Sequence, residues 1–346
     1  MFKKYGLILL LMLIIATVSL GCGGGAEKTT PQESPKQESP KEVYSLKLGH
    51  NVTPDSAVDQ GAHKFKELVE KKTDGQVQVT IFPSAQLGSE IDMVKNMGMG
   101  AIDIVVPGDG AFGTYTPKFQ SLVLPFVFSN VDHMDRVYNG EIGKEMDATF
   151  RQTANSTILA VWHRGPRNLT ANEAKPTPDN LKGMKLRVTT IPIIVSAWEA
   201  MGTNPTPIAF PELFVSLQQG VVDGQENPLD LIYTSNFHEV QSHIMLTEHT
   251  YSPWLFMMNV DKYNSFPEDV RKKFDEALAE ATAFQKQLVK DSEADYLKKL
   301  KDAGANVIEV DKELFMKKYA DSGNIEKLAE KYPEIPDLMK RVMALK

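Results

Sequence analysis

Pro267 opens a helical pattern that runs to about Ala303. Few helices in globular proteins are this long, because most helical stability comes from packing one face on a core of limited width. At ~1.5 Å per residue the pattern is more than about 50 Å long, enough to span two lobes. The chain that must fold around it, from residue 43 onward, is about 300 residues, a size at which one core usually divides into two.

The start of the chain reads as an export signal. Lys3 and Lys4 precede an apolar run, Leu7 to Val18. That run is about a dozen residues, shorter than the ~20 of a membrane span. Ser19-Leu20-Gly21 leads to Cys22, the only cysteine, so no internal disulfide can form. The pattern is that of a bacterial lipoprotein, with residues 1–21 removed and Cys22 lipidated to anchor the chain to a membrane. Ser19 stands where such signals usually carry Leu, which leaves cleavage by the ordinary signal peptidase open. Residues 22–42 read as a disordered tether. Gly23-Gly24-Gly25 precedes a tandem pentapeptide, Gln32-Glu33-Ser34-Pro35-Lys36 and Gln37-Glu38-Ser39-Pro40-Lys41. Nothing there is apolar enough to offset the entropy of ordering.

Export removes Lys3 and Lys4 and takes the formal charge from −7 to about −9. An acidic chain with no basic cluster argues against nucleic acid. An anionic ligand would have to be drawn in by local cations.

The folded part begins as alternating strands and helices. Ser45 to Asn51 and Val77 to Phe82 alternate as strands, and Ile102 to Val106 is an apolar run suited to a buried parallel strand. Between them lie helical patterns at Ser56 to Thr73 and at Glu90 to Met99, the latter with Ser89 as its cap. This is a βαβ-type lobe. Helices continue at Val131 to Asn139 and Glu141 to Ala154, and Thr157 to Trp162 is a strand leading to a crossover at Arg164 and Arg167. The second lobe has strands at Met184 to Val188, Asn204 to Ile208 and about His243 to Tyr251, with helices at Ile193 to Met201 and Glu212 to Gln219. Trp254 to Val260 returns to the first lobe. The boundaries are 43–164 plus 253–292 for lobe I and 165–252 plus 293–346 for lobe II.

Thr203 to Asp230 carries the densest information. Pro211 suits the first turn of a helix, and Leu213, Phe214, Leu217 and Val221 form one apolar stripe. Gly220 suits the positive φ that closes a helix. Asp223-Gly224-Gln225-Glu226-Asn227-Pro228 then reads as a polar turn where the sheet meets the other lobe. The run Pro205-Thr206-Pro207-Ile208-Ala209-Phe210, then Gly220 and Val222-Asp223-Gly224-Gln225-Glu226-Asn227-Pro228, resembles the signature of the DctP-type solute-binding proteins of tripartite ATP-independent periplasmic (TRAP) transporters. Leu181-Lys182-Gly183-Met184-Lys185-Leu186-Arg187-Val188 is similar to the segment that carries that family's ligand-clamping arginine. The likeness covers nearly the whole chain after residue 43. It implies an α/β, two-lobe periplasmic-binding-protein-like fold with a ligand cleft, hinge strands and a long helix across both lobes.

The resemblance also assigns roles. Read by itself, an arginine at a strand edge snorkels outward or pairs with a core acid. By resemblance, Arg187 is the guanidinium that pairs a ligand carboxylate, a task its planar fork suits. Arg167 matches a second arginine of the family site, and Arg164 lies near it with its direction open. Asn227 matches an amide that bonds the same carboxylate, with Pro228 restricting its backbone. Asn51 matches a first-lobe contact. Phe210 offers an apolar wall, and Glu226 lines the cleft or braces Arg187. Asp109, Ser84 and Gln86 are candidates for a ligand hydroxyl. Trp162, Trp198 and Trp254 are candidates for stacking, each with core packing as the plainer reading. Sialic-acid-binding relatives carry Glu where this chain has Gly108, which argues against that ligand.

Other chemistries find little footing. Gly108-Asp109-Gly110-Ala111-Phe112-Gly113 fits a dinucleotide fingerprint, but Thr114-Tyr115-Thr116-Pro117 follows where a helix should. The sequence has neither a zinc-type His motif nor a nucleophile elbow. The expectation is a binding protein without cofactor or metal. It captures a small organic-acid anion, a hexuronate-like sugar acid or a C4-dicarboxylate, and delivers it to the small and large membrane subunits of a TRAP transporter. A secreted enzyme acting on an organic acid, or a sensor presenting its closed form to a receptor kinase, are the alternatives.

Overall fold

The computed structural model describes residues 42–346 apart from 109 and 111. The export signal, Cys22, the tether up to residue 41 and Asp109 lie outside the described residues. Two sheets carry the chain. The first contains β1 (Tyr44–Gly49), β2 (Val77–Phe82), β3 (Ile104–Val105), β4 (Ser156–Trp162) and β10 (Trp254–Asn259). The second contains β5 (Arg167–Ala171), β6 (Lys185–Val188), β7 (Asn204–Pro207), β8 (Gly224–Asn227), β9 (His243–Thr250) and β11 (Asn306–Ile308). Their orders are β2-β1-β3-β10-β4 and β11-β9-β5-β8-β6-β7.

In the first sheet β1 runs parallel to both β2 and β3. The connections are α1 (Ala57–Lys72) and α2 (Glu90–Gly98), which form for local reasons. Ser56 Oγ accepts from the Asp59 backbone N–H at 3.3 Å and so caps α1. Ser89 and Asp92 form a reciprocal capping box at α2. Val58, Ala62, Phe65 and Val69 of α1 are buried in one cluster with Trp162, Phe256 and Phe274. Each large side chain so buried contributes about 1.5–3 kcal/mol. The strand expected over Ile102 to Val106 is shorter, since only Ile104 and Val105 pair with β1.

The long helix is Glu268–Asp302, 35 residues. Phe274, Ala277, Leu278 and Ala281 join the first-lobe cluster, whereas Tyr296 and Leu300 join a cluster with Leu213, Phe237 and Ile244 of the second lobe. Midway it clamps the crossover that leaves β4. The His163 backbone N–H donates to Gln285 Oε1 at 2.8 Å, and Gln285 Nε2 donates back to the His163 carbonyl at 2.7 Å. Trp162 Nε1 donates to Thr282 Oγ1 at 2.9 Å. The chain passes between sheets at 163–166 and again at 251–253.

Two features differ from the sequence expectation. Gly224–Asn227 is not a turn. It is a buried strand, antiparallel to β5 and parallel to β6. β5 itself begins at Arg167, which was expected to lie in the crossover. In addition, the C-terminal segment is not confined to the second lobe. Asn324 Nδ2 bonds Ser196 Oγ at 2.7 Å, but Arg136 Nε of the first lobe donates to the Leu345 carbonyl at 2.7 Å. Among the described residues no helix is long and apolar enough to cross a membrane.

Candidate functional site

The register of the second sheet gathers three polar side chains at one end. β8 runs parallel to β6 and antiparallel to β5, with Asn168 opposite Asn227 and Leu186 opposite Gly224. The end of β8 (Asn227), the end of β6 (Arg187) and the start of β5 (Arg167) therefore lie side by side. In the first sheet the residues just after parallel strands β1 and β3 face the same space. Crevices outside the carboxyl ends of parallel strands are where open α/β sheets bind ligands. Here a cavity of about 260 Å³ is lined by Asn51 and Glu90 from the first lobe, Arg164 from the crossover and Trp254 from β10. Arg167, Arg187, Thr189, Phe210 and Asn227 line it from the second lobe.

Arg187 Nε donates to the Ile208 carbonyl at 2.9 Å. Among the described residues no other hydrogen bond engages its guanidinium, so the remaining N–H groups are available to a ligand. Burial pulls its pKa down to about 10, against the charge of Glu226, which leaves it protonated at neutral pH. Arg167 is held differently. Its Nε and Nη2 bond both carboxylate oxygens of Glu226, and Nη2 also donates to the Glu226 backbone carbonyl at 2.6 Å. His249 Nε2 lies 3.1 Å from Glu226 Oε2, and its Nδ1 lies 2.8 Å from Thr247 Oγ1. Burial pushes the Glu226 carboxyl up, but the Arg167 charge and the His249 hydrogen bond outweigh it and hold the value at about 2. Burial pulls His249 below its ordinary value, with Glu226 opposing. Glu226 thus stands behind Arg167 and does not line the cavity.

Asn227 Nδ2 donates to Gln225 Oε1, Gln225 Nε2 to Thr170 Oγ1 at 3.0 Å, and that hydroxyl to Gln241 Oε1 at 3.1 Å. This chain of amides makes a hydrophilic strand compatible with burial, since every buried polar group needs a partner. Arg164 lies with its guanidinium 4.3 Å over the Trp254 ring and lines the cavity. Asn51 is 8% exposed, and among the described residues its Oδ1 has no protein partner. Phe210 forms a wall, edge-on to Phe237 at 5.7 Å. Ser84 lines an adjoining cavity and Gln86 neither. Trp162 is core and Trp198 packs edge-on against His249.

Sequence reasoning missed Glu90 and His249. Glu90 follows the Ser89 cap and reads as an ordinary first-turn acid. In the fold its carboxylate accepts from the backbone N–H groups of Gly108 at 3.0 Å and Gly110 at 3.1 Å. Gly108 has no room for a side chain, because a Cβ there would lie 2.8 Å from the Trp254 ring and 3.0 Å from Arg164 Nη1. Among the described residues no group of three or more His, Cys, Asp and Glu is placed to hold a metal.

Residues 48–322 match DctP, bacterial extracellular solute-binding protein, family 7. The chain belongs to this family. It is a TRAP-type solute-binding protein, and DctP-family proteins are extracytoplasmic binding proteins that work with membrane permease subunits. Among its solved relatives is a TRAP periplasmic solute-binding protein from Roseobacter denitrificans with bound L-galactonate. That structure is 35% identical, covers 86% of this chain and 99% of its own, and superposes with a TM-score of 0.80. Another, from Sulfurospirillum deleyianum with bound succinate, is 30% identical, covers 88% and 100%, and gives 0.81. The C4-dicarboxylate-binding periplasmic protein DctP of Rhodobacter capsulatus is 32% identical over 264 residues, 76% of this chain and 79% of that protein. These DctP-family structures share the two-lobe α/β fold of this chain.

Proposed function

We propose that this DctP-family protein captures a monoanionic sugar acid, with the ligand carboxylate on Arg187 and Asn227, and passes it unchanged to a membrane permease. The observation that carries the reading is a charge count. Among the described residues that line the cavity, Arg164, Arg167 and Arg187 stand against Glu90, and Glu226 behind them is committed to Arg167. That leaves one positive charge among these residues, and Arg187, whose guanidinium makes one backbone hydrogen bond among the described residues, offers it to the ligand. Glu90 offers carboxylate acceptors to hydroxyls and would repel a second ligand carboxylate. Relatives with L-galactonate and with succinate bracket the two choices.

Closure follows from the distribution of contacts. Arg187, Asn227 and Phe210 belong to the second lobe, Asn51 and Glu90 to the first. Only a closed cleft lets one ligand touch both sets, so binding shifts the population toward it. The lobe boundaries apart from that of the C-terminal segment, lipidation of Cys22 and tethering of the binding body near its permease belong to the same proposal.

Thermal melts against galactonate, glucuronate and succinate test it. Ligand at ~100 times its dissociation constant adds roughly 2.7 kcal/mol, which raises the midpoint by several degrees. The two sugar acids are expected to do so and to be recovered unchanged. Arg187→Ala is expected to cost about 2–5 kcal/mol of binding. A larger shift with succinate would overturn the monoanion reading, turnover of the acid would favour an enzyme, and near-normal affinity in the variant would remove the clamp.

A further inference from the structure

A second cavity, also about 260 Å³, adjoins the first and shares Asn51, Phe210 and Pro211 with it. It too is built from both lobes. Thr53 and Ser84 line it from the first, and Phe214, Ser235 and Phe237 from the second. Thr53 Oγ1 reaches the Thr234 carbonyl across the gap at 3.5 Å. Its character differs from that of the first. The first holds three arginines and a glutamate, whereas among the described residues no ionisable side chain lines the second.

We propose that this second cavity is an extended subsite, and that it takes an uncharged sugar ring attached to the acid held on Arg187. The inference rests on the carboxylate reading above. Three observations point to a hydroxylated ring. Phe210, Phe214 and Phe237, with Pro211, supply apolar walls of the kind that pack on the C–H face of a sugar. Among the described residues Asn51 Oδ1, Thr234 Oγ1 and Ser235 Oγ are buried with no protein hydrogen-bond partner, and a buried oxygen in that state calls for a ligand or water to complete it. Ser84 and Ala85 both hold positive φ, 53° and 57°, although neither is glycine. Consecutive left-handed residues of this kind are sparsely populated and cluster at ligand-binding sites. The turn they form is fixed by Ser84 N–H to the Val52 carbonyl at 2.9 Å and Ala85 N–H to the His50 carbonyl at 3.1 Å, which sets Ser84 on the rim.

Size supports the same conclusion. Small-molecule sites run to ~300–1,000 Å³. The first cavity alone falls just short of that range, and the two together lie within it.

Calorimetric titration of the mature chain with gluconate and with lactobionate, which is gluconate carrying a galactosyl ring, tests the proposal. Lactobionate is expected to bind at least tenfold more tightly. Phe214→Ala lines only the second cavity and is expected to erase that difference while moving the gluconate constant less than twofold. Ser235→Ala removes a buried oxygen that has no partner, so it leaves the fold intact, and it is expected to act in the same direction. Lactobionate binding no tighter than gluconate, or equal weakening of both ligands by Phe214→Ala, would overturn the subsite while leaving the carboxylate reading in place. Binding of neither acid, or equal binding of both to Arg187→Ala, would remove the carboxylate reading and this one with it.

Discussion

Arg167 and Arg187 sit on strands of one sheet with their guanidiniums in one cavity, yet they do different work. Arg167 is held through Nε and Nη2 by a carboxylate that is itself 2% exposed. Arg187 has one backbone partner. The difference determines what a substitution does. Glu226→Gln would strip the counter-charge from a buried guanidinium. Breaking a buried pair from one side costs about 3–5 kcal/mol, far more than the pair contributes when both partners are replaced. Urea unfolding of the ligand-free protein is therefore expected to show a loss of that size for Glu226→Gln. In the double variant with Arg167→Met the loss is expected to be smaller than the two single losses combined by at least ~1 kcal/mol. Additive losses would mean that the pair is not the unit that folds.

At the scale of elements, legibility followed periodicity. The helices from Ser56 and Ser89 carry their own caps, these two and the long pattern from Pro267 carry apolar stripes, and each lies within a residue or so of its expected place. β8 is the opposite case. Gly224, Gln225, Glu226 and Asn227 are as buried as any apolar strand, but what makes their burial tolerable comes from Thr170, Gln241, Arg167 and His249, up to 59 positions away for Arg167. No local pattern records partners at that distance, so the strand read as a turn. Glu90 was hidden for the same reason, since its acceptor role depends on a loop 18 residues on. Interfaces between elements are similarly silent in sequence. Gly61 lies in the middle of α1, where Ala would favour the helix by about 1 kcal/mol. A Cβ there, however, would lie 2.8 Å from the Trp162 ring and 2.9 Å from Gln285 Cγ on the long helix. Both neighbours are fully buried and hold the first crossover, so they have little room to yield. Overpacking costs about 1–3 kcal/mol. Gly61→Ala is expected to lower the melting temperature, and a rise would show that the two helices can part without loss.

For the whole molecule, the interest lies where the lobes are joined. Glu293 of the long helix sits against Gly165 of the first crossover, where a Cβ would lie 3.2 Å from Glu293 Oε2. Asp230, just beyond β8, lines the same small space. Glu248 of β9 is tied to Lys312 at 2.5 Å and accepts from Tyr251, in the second crossover, at 3.3 Å. Burial first, and then the charges of Glu248 and Asp230, push Glu293 up to about 7, with Lys312 opposing. In the folded chain Glu293 therefore keeps a proton that the unfolded chain has released above about pH 4.5. Its contribution to stability is complete below that value and is lost as pH rises through about 7. The shift corresponds to a few kcal/mol, and Glu293 is partly solvated, so about 2 kcal/mol is the expected loss. His249 works in the opposite sense below its ordinary 6.5, because an imidazole kept neutral by burial loses stability as pH falls. Glu226 and Glu145, both held at about 2, act only in stronger acid. Comparing wild type with Glu293→Gln isolates the one group. From pH 5 to pH 8 the wild type is expected to lose about 2 kcal/mol relative to the variant. If the cleft opens at these crossovers as proposed above, water would reach Glu293 in the open form, so the same pH rise is expected to weaken ligand binding in wild type more than in Glu293→Gln. Parallel pH profiles for the two proteins, in stability and in affinity, would place Glu293 in solvent already and detach it from the hinge.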